Sequence, residues 1–490
     1  MYINQKYFNS IDWLMLEIKL PREIFKSPLA TEIAVSTFLQ SSGASTAYAR
    51  NYEGKLPFFG SLEIASIEGV IHFYIRVQSR FRTLMESNFY AQYPGIEIVE
   101  AEDYTKLIHF HHLDKSVKLV GMNYRVNAKW KPTDEQTGKP YKDSEKKGDD
   151  YEMKADFLPL KTYVDYELDK NPKEEFKVDP LTPLLEAMGA CGKGEHMWYQ
   201  LILQDESVYN DKKMPKFYVN QGSHKHMNLK EMADARKKQI RTAGWNIKDE
   251  VVADAFGVPT KIEEYNDKYE QQFDVQTDKD GKEIKIPRKI LARHRETKAV
   301  GKKEIELTAE EKDEIDLINK KMSKPLAVCV ARAIYVAKAE NFKGGQFSSL
   351  LNFTKGFAGA NKLGAVKITD PYDYPWERHK DERRVWWRSE ETFESYVERE
   401  GFYPHIPERK SFDEWEDRFF WTFSMKQRKL FRMIFEAVFH PFSHPEASEA
   451  FILNLEEVAT LWHLPGAVAG TPTLPRIDSN KGVAPTNLPI

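Results

Sequence analysis

The stretch that most resembles a phosphate-binding loop lies between Gly189 and Gly194, with the sequence GACGKG. A nucleotide-hydrolysing P-loop needs a glycine-rich turn whose backbone N–H groups hold phosphates, followed directly by Lys and then Ser or Thr. Here Ala187 stands where the first glycine belongs, and Gly194 where the hydroxyl belongs. The pattern therefore favours a loop that ends a helix over a phosphate site.

Histidines form the second chemical candidate. His109 and His111 alternate in LIHFHHL, which on a strand would direct both imidazoles to one side, as metal ligands require. Two imidazoles without a nearby cysteine or second cluster favour polar positions on an edge strand instead. Neither a Gly-x-Ser-x-Gly motif nor a Cys-His nucleophile pair occurs. We therefore predict a protein that is not an enzyme and that uses no cofactor, metal or small-molecule substrate.

A basic run between Lys282 and Lys303 is the clearest candidate for contact with nucleic acid. Its cations have little acidic compensation and could contact phosphates. The candidate contact residues are Arg288, Lys289, Arg293 and Arg295. Two interpretations remain open, namely a solvated loop and a surface that binds nucleic acid or an acidic partner.

Aromatic and arginine residues cluster between Trp376 and Arg388. Such side chains can stack on the bases of a single strand, or they can pack onto a neighbouring core. A second place for base stacking would be an exposed sheet face, for which His72, Tyr74 and Arg76 are the candidates.

Composition narrows the class of protein. The chain has 490 residues, which predicts two or three domains. Its net charge is -3, so the protein lacks the overall positive field of a dedicated nucleic-acid binder. The two cysteines, Cys191 and Cys329, sit in apolar runs and are expected to be buried free thiols. No uncharged run reaches the ~18 residues of a membrane helix. We expect a soluble, cytoplasmic protein, and docking at the inner face of a membrane stays open.

Residues 1–130 contain a regular alternation of elements. A strand from Trp13 is followed by a helix from Pro28, a hairpin that turns at Glu68-Gly69, a helix after Ser79 and a short strand at Ile96 to Val99. The order β-α-β-β-α-β is that of a ferredoxin-like, split βαβ unit. Residues 104–130 continue as extended hairpin material, and a charged linker at 131–159 follows.

A second ferredoxin-like unit is predicted at 160–370. Its first strand is Leu160 to Leu168, and its next helix and strand lie in Asp179 to Gln204. A charge-rich insertion without strand alternation at about 206–310 delays its completion. Then come a helix to Met322, a strand from Leu326 to Val336, a helix at 347–357 and a strand at 363–368.

The remainder is an aromatic and charged helical region at 371–465 and a Pro-rich tail at 466–490. The region is predicted to contain helices at 390–400 and 411–438, a strand at 451–454 and a helix at 455–462. The whole chain is thus predicted to be α+β, with two ferredoxin-like units, a long charged insertion in the second, and a C-terminal helical segment.

Several stretches together resemble the N-terminal, non-ATPase region of the ATPases of bacterial type IV secretion and conjugative DNA transfer. They are Phe58 to Tyr104, LPLKTYVDYEL with DPLTPLLEAMGACGKGEHMWYQLIL, LTAEEKDEIDLINKKMSKPLAVCVARAIYVA, FILNLEEVATLWHLPG and the closing APTNLP. Order and spacing match over most of the chain, whereas the insertion and 411–444 match poorly.

The resemblance implies a place in a DNA-transfer machine. In that family, a stretch like LNLEEVATLWHLPG and a Pro-rich linker lead into a P-loop motor, and this sequence stops at Ile490, where the motor would start. The implied role is a non-catalytic accessory subunit that docks a separately encoded P-loop ATPase and, through it, a membrane secretion complex. Glu456, Glu457 and His463 are the expected docking positions, against plain solvation of a helix surface. The alternative is a nucleic-acid-binding module.

Overall fold

The computed structural model describes most of the predicted elements. The longer described ranges are 10–21, 26–39, 55–111, 115–133, 150–168, 179–207, 225–242, 259–277, 283–299, 307–367, 381–402 and 450–466. The shorter ones are residue 7, 140–141, 218–220, 249–253 and 474–477. The predicted helix at 411–438 and the position of Trp376 lie outside the described residues.

The described strands and helices are numbered in chain order. The strands are β1 Trp13–Pro21, β2 Phe59–Ile67, β3 Val70–Gln78, β4 Glu97–Ala101, β5 Val117–Val126, β6 Lys129–Trp130, β7 Met153–Lys154, β8 Glu195–Asp205, β9 Tyr218–Asn220, β10 Lys225–Met227, β11 Asp249–Ala253, β12 Pro259–Thr277, β13 Glu283–Ala299, β14 Leu326–Lys338, β15 Leu363–Lys367, β16 Phe451–Asn454 and β17 Arg476–Ile477. The helices are α1 Pro28–Val35, α2 Arg82–Gln92, α3 Thr182–Gly189, α4 Leu229–Thr242, α5 Ala309–Met322, α6 Gly344–Asn352, α7 Asp381–Val397 and α8 Leu455–Leu461.

The chain divides into two compact units, and the larger contains residues 1–128, 158–215 and 320–490. Its centre is a sheet of ten strands in the order β15-β5-β14-β8-β2-β3-β1, with β4 and β17 also paired to β1 and β16 to β14. All pairs are antiparallel except β1 with β17. The protein is therefore mixed α+β, with a large, almost wholly antiparallel sheet and several helices.

The sheet contains the same arrangement twice. The first copy runs β1-α1-β2-β3-α2-β4 along the chain and lies in the spatial order β4-β1-β3-β2. The second runs β5-α3-β8-β14-α6-β15 and lies in the order β15-β5-β14-β8. The two copies, called repeats below, join through β2 and β8, which pair from Phe59 opposite Gln204 to Ile67 opposite His196.

The predicted hairpin of the first repeat is confirmed. β2 and β3 pair directly up to Ile67 opposite Val70, and the turn residues Glu68 and Gly69 both have positive φ, 52° and 91°. This backbone conformation matches the right-handed twist of two paired strands, and glycine adopts it without steric cost.

The predicted first strand of the second repeat is wrong. Leu160 to Leu168 is irregular to residue 162 and forms turns at 163–168, and the Asp165 carboxylate accepts a hydrogen bond from the Thr162 N–H. The strand in that topological position is β5, in the stretch expected to be hairpin material. Its residues Leu119, Met122, Tyr124 and Val126 are buried. An aspartate side chain that accepts a hydrogen bond from the backbone N–H three residues earlier competes locally with strand formation, even in a stretch rich in β-branched and aromatic residues.

The helices of the two repeats cover one face of the sheet. Alternate residues of β1, β3 and β8 on this face form one core with residues from α1, α2, α3, α6 and α8. The opposite face is covered by aromatic residues of 104–110 and 381–402, among them Tyr104, Phe110, Phe393 and Tyr396, which cluster with Trp198.

The second compact unit contains residues 129–157 and 216–319, two insertions into the second repeat. The sequence of the predicted insertion lacks strand alternation, yet β12 and β13 form a long antiparallel pair from Lys261 opposite Ala299 to Thr277 opposite Glu283. β11 adds a third strand. The pairing depends on backbone hydrogen bonds, which do not require the strict apolar alternation on which the sequence prediction relied.

Two further features concern the described residues. None of their helices combines the length and the apolar character needed to cross a membrane. Cys191 and Cys329 are free thiols and both are buried, as predicted.

The hairpin turn gives a test of the fold. A Cβ atom at Gly69 would lie 2.5 Å from the Cys191 carbonyl oxygen, at a backbone φ of +91°. We expect Gly69→Ala to lower the free energy of unfolding by about 2–3 kcal/mol in urea denaturation followed by circular dichroism. The matched control is Gly345→Ala in α6, where nothing lies within 4 Å and alanine should stabilise the helix by up to about 1 kcal/mol. Equal effects of the two substitutions would contradict the turn geometry.

Candidate functional site

A row of polar residues crosses the centre of the sheet on the face opposite the helices. The strand register aligns them as direct neighbours on six strands. In order across the sheet they are Glu17, Tyr74, Glu63, Gln200, Arg332 and Asn123. Glu63 and Gln200 are both completely buried. The joint between the repeats therefore carries a buried charge that requires partners.

Arg399 supplies the opposite charge. Its guanidinium bridges two carboxylates, donating to Glu63 from Nε and Nη2 at 3.1 Å each and to Asp103 from Nη1 and Nη2 at 2.5 and 2.9 Å. Its side chain is only 1% exposed. The arginine reaches this position from a left-handed backbone conformation, with a φ of 54°. A buried, doubly paired guanidinium is the geometry in which arginine binds carboxylates most strongly.

Hydroxyl and amide groups complete the cluster. The Tyr104 hydroxyl donates to Glu63 Oε2 at 2.7 Å and lies 2.9 Å from the Tyr396 hydroxyl. Gln200 Nε2 donates to Glu63 Oε1 at 3.2 Å, and the Ser61 hydroxyl donates to the same oxygen. Segments far apart in the chain thus meet at a single carboxylate.

Burial and neighbouring charges determine the protonation states of the groups in and around this cluster. Burial alone would raise the pKa of the Glu63 carboxyl, but the Arg399 charge and the hydrogen bonds outweigh burial, and the pKa lies below its usual range. Burial, together with the nearby Arg399 charge, lowers the pKa of Arg76 to about 9. Burial raises the pKa of the Tyr104 and Tyr396 hydroxyls well above the ordinary value. None of these four groups is poised to exchange a proton near neutral pH, so their arrangement suits a structural ion cluster rather than acid-base catalysis.

The predicted docking residues Glu456 and Glu457 lie inside the larger unit, not on its surface. Glu457 is 0% exposed and forms a capping box with Asn454 at the start of α8. Its carboxylate also accepts from the Leu160 N–H at 2.7 Å and lies 3.0 Å from Lys321 Nζ, which is itself fully buried. Glu456 is 3% exposed, accepts from the Thr162 hydroxyl and pairs with Lys324 at 2.9 Å. Their expected surface location is therefore wrong.

His463, the third predicted docking residue, is also buried, at 2% exposure. Its Nε2 lies 2.9 Å from the Asp179 carboxylate, and its Nδ1 lies 2.9 Å from the Ala459 carbonyl oxygen. Burial lowers the pKa of His463, but the Asp179 charge and the hydrogen bonds outweigh burial and raise the pKa overall. Together the three residues attach α8 and its flanks to distant parts of the same chain.

The basic candidates Arg288, Lys289, Arg293 and Arg295 all lie on β13. Their backbone partners on β12 are Gln272, Gln271, Asp267 and Tyr265, respectively. The structure therefore brings these four residues together on one paired strand instead of a loop. Of the aromatic and arginine cluster, the positions 383–388 lie on α7.

The glycine-rich loop and the histidine pair were the candidates for phosphate and metal binding. In the glycine-rich loop, the Gly192 N–H donates to Glu195 Oε2 at 2.7 Å, and Lys343 pairs with the same carboxylate at 2.9 Å, so a side chain of the chain occupies the loop's anion position. His109 and His111 lie in irregular structure, not on a strand. Among the described residues, no group of three or more His, Cys, Asp or Glu side chains is placed to hold a metal ion.

The sheet face considered for base stacking is covered. Tyr74 is 5% exposed and stacks on Tyr104, with ring centroids 5.0 Å apart. His72 Nδ1 lies 2.6 Å from the Glu17 carboxylate, and the Arg76 guanidinium lies 4.2 Å from the centre of the Trp13 ring. All three candidates are therefore engaged by the chain itself.

Glu63, Asp103 and Arg399 were not among the residues predicted from the sequence. Alternation in β2 places Leu62 and Ile64 in the helical-side core and thereby assigns Glu63 to the other face, which was expected to face solvent. The residues that cover this face lie more than 300 positions later in the chain, so no pattern near Glu63 indicates that it is buried. No protein-family model, curated protein or solved structure matches this chain.

The buried Lys321–Glu457 pair generates a stability prediction. Lys321→Met leaves the Glu457 carboxylate buried without its counterion, and we expect a loss of about 3–5 kcal/mol in the free energy of unfolding. The adjacent Lys320, 41% exposed in its side chain, serves as the control, and Lys320→Met should cost less than about 1 kcal/mol. Urea denaturation measures both, and similar losses for the two variants would contradict the buried-pair assignment.

The His463–Asp179 pair predicts a pH dependence. Because the folded pKa of His463 is raised, its stabilising contribution is complete below the ordinary histidine value of about 6.5 and is lost as the pH rises through the folded value. The lowered pKa of Asp179 preserves the pair until the pH falls below the ordinary aspartate value of about 3.9. We expect the wild-type free energy of unfolding to fall from pH 6 to 9 relative to His463→Gln. Parallel pH profiles for the two proteins would refute this.

Proposed function

We propose that this chain is a non-catalytic accessory subunit of a type IV secretion or conjugative DNA-transfer machine, which docks a separately encoded P-loop ATPase. The proposal starts from the resemblance of five stretches to the non-ATPase region of such transfer ATPases. One structural observation supports it most directly: four of the resembling stretches contribute strands that are neighbours in one sheet.

The correspondence between resemblance and structure is close. Phe58 to Tyr104 supplies β2, β3, α2 and β4, and Asp179 to Leu203 supplies α3 with most of β8. The stretches that contain β14 and β16 follow, and these strands pair as β2–β8, β8–β14 and β14–β16. The poorly matching insertion falls mainly in the other compact unit. The first part of one resembling stretch, residues 307–319, also lies in that unit. A resemblance concentrated in one sheet is what a shared domain would leave.

The finer fold assignment belongs to the same proposal. We take each repeat to be a ferredoxin-like unit, because both have the chain order β-α-β-β-α-β and both place their first and third strands at the centre. The helices lie on one face of the sheet in both repeats, as this assignment requires.

The burial of Glu456, Glu457 and His463 changes how docking is envisaged. Glu456 and Glu457 bond to Thr162 and Leu160, and Lys324 links Glu456 to Glu32 of α1. His463 pairs with Asp179, so the three residues attach α8 and its flank from within the unit. Deleting 451–465 would remove buried core residues, and a loss of association after that deletion would not identify a contact surface. Point variants and intact protein are therefore needed.

A second candidate function, nucleic-acid binding, is favoured by the long β12–β13 pair. Four cationic residues lie within eight consecutive positions of β13, and two-stranded ribbons can enter a nucleic-acid groove. Against this candidate, the sheet-face residues Tyr74 and Arg76 are covered by the chain.

Affinity purification of the full chain from its own cells, with and without nuclease, separates the two functions. The accessory role predicts that a P-loop ATPase and membrane channel components co-purify after nuclease treatment. It also predicts that neutralising Arg288, Lys289, Arg293 and Arg295 to Gln changes their recovery less than about twofold.

The matched control neutralises four exposed lysines elsewhere, Lys106, Lys312, Lys355 and Lys362. Recovery of nucleic acid and its binders alone, abolished by nuclease and by the β13 variant but not by this control, would replace the accessory role with nucleic-acid binding. Recovery of neither set would count against both functions.

A further inference from the structure

Residues 381–402, called the cover segment below, lie across the joint between the two repeats. The segment consists of α7 and the turn that follows it. Phe393 and Tyr396 pack against Trp198, with ring centroids 6.4 and 5.9 Å apart. Gly121 of β5 leaves room for Thr392, because a Cβ atom there would lie 2.4 Å from Thr392 Cγ2. The sheet face is thus shaped to receive the segment.

No strand of the sheet pairs with the cover segment in the described part of the chain. Its backbone–backbone hydrogen bonds are local, such as the one from the Arg399 N–H to the Tyr396 carbonyl oxygen at 3.2 Å. The attachments to the sheet include the Arg399–Glu63 ion pair, a hydrogen bond from Gln200 to the Tyr396 carbonyl oxygen at 3.3 Å, and hydrogen bonds from Arg332 to the carbonyl oxygens of Ser395 and Glu400. The segment can therefore leave without breaking any strand pairing of the sheet.

Closure of the segment also leaves unfavourable features. On this face of β8, three polar atoms have no hydrogen-bond partner in the described residues, namely His196 Nδ1, Trp198 Nε1 and Gln200 Oε1. Trp198 and Gln200 are 0% exposed. Unpaired polar atoms in a buried site are unfavourable, and so is the left-handed backbone conformation of Arg399. Trp198 and Gln200 contact the cover segment directly. Opening would admit water to their two unpaired atoms and release Arg399 from its left-handed conformation.

We infer that the cover segment is a reversible closure over the joint of the two repeats, held by the Arg399 ion pairs and opening as a unit while the sheet stays folded. Its opening exposes a strip of β2 and β8 that includes Glu63, Trp198 and Gln200. The Glu63–Arg399–Asp103 contacts are the latch of this closure. This inference concerns a conformational change of the chain itself and does not depend on the proposed docking role.

Amide hydrogen exchange of the full-length chain, resolved by peptide mass spectrometry, tests the inference. Segments that open independently exchange faster than the strands on which they lie. In the wild type we expect amides of 385–400 to exchange at least about tenfold faster than amides of β2 and β8, relative to their intrinsic rates. Equal protection of the cover segment and these strands would overturn the inference without any variant.

Two kinds of variant test the latch. Arg399→Met should accelerate exchange in the cover segment about 100-fold, because it leaves the Glu63 carboxylate without a counterion in the closed state. Gly121→Ala should accelerate it about tenfold by colliding with Thr392. The double variant Gly121→Ala/Thr392→Ser removes the colliding methyl group and should return to within about threefold of the wild type.

The control is Arg82→Met, which removes an arginine of α2 that pairs with Glu86 and Glu100. Cover-segment exchange should not change in this variant. Acceleration confined to 381–402 in Arg399→Met and Gly121→Ala supports an independent closure. Equal acceleration in β2, β8 and the cover segment would show a single cooperative unit and overturn the inference, as would unchanged exchange in the cover segment.

Discussion

The antiparallel pairing of β2 with β8 is the constraint on which the larger unit depends. It joins two repeats edge to edge and places Glu63 directly opposite Gln200. With Tyr74 on one side and Arg332 on the other, the pairing creates a buried polar row in the middle of the sheet. Isolated buried charges are unfavourable, so this row explains why Asp103 and Arg399 converge on the joint.

A second set of buried charges organises the C-terminal end of the unit. Glu457 and Lys321 pair in complete isolation from solvent, and His463 pairs with Asp179. The residues involved come from the turn at 158–163, the end of α5, the start of α3 and α8. In both sets, ion pairs join elements that are distant in sequence, and each buried charge finds its partner only when the fold is complete. Their specificity lies in this mutual dependence, since a hydrophobic contact would accept many partners.

The first repeat was predictable because its signals are local. Apolar alternation and a two-residue turn predict the β2–β3 hairpin, and Pro28 indicates the start of α1. The second repeat was harder for two reasons. Gly121 interrupts the apolar pattern of β5. The composition of Leu160 to Leu168 is typical of a strand, but the Asp165 side chain bonds to the Thr162 N–H and stabilises a turn there instead. The burial of Glu456, Glu457 and His463 could not be predicted from the sequence. A charged residue on a helix is ordinarily exposed to solvent, and the partners of these residues lie as many as 297 positions away.

The two repeats also differ in how their equivalent strands are connected. β2 and β3 are joined by Glu68-Gly69, whereas β8 and β14 are separated by residues 206–325. During synthesis at about 5–20 residues per second, β8 can add to the completed first repeat roughly 6–24 s before β14 is made. Throughout that interval the nascent sheet ends at β8, with the apolar sequence WYQLIL along an unpaired edge. Such an edge can pair with another chain, so the ribosome-bound intermediate, and not the finished protein, carries the greatest risk of aggregation.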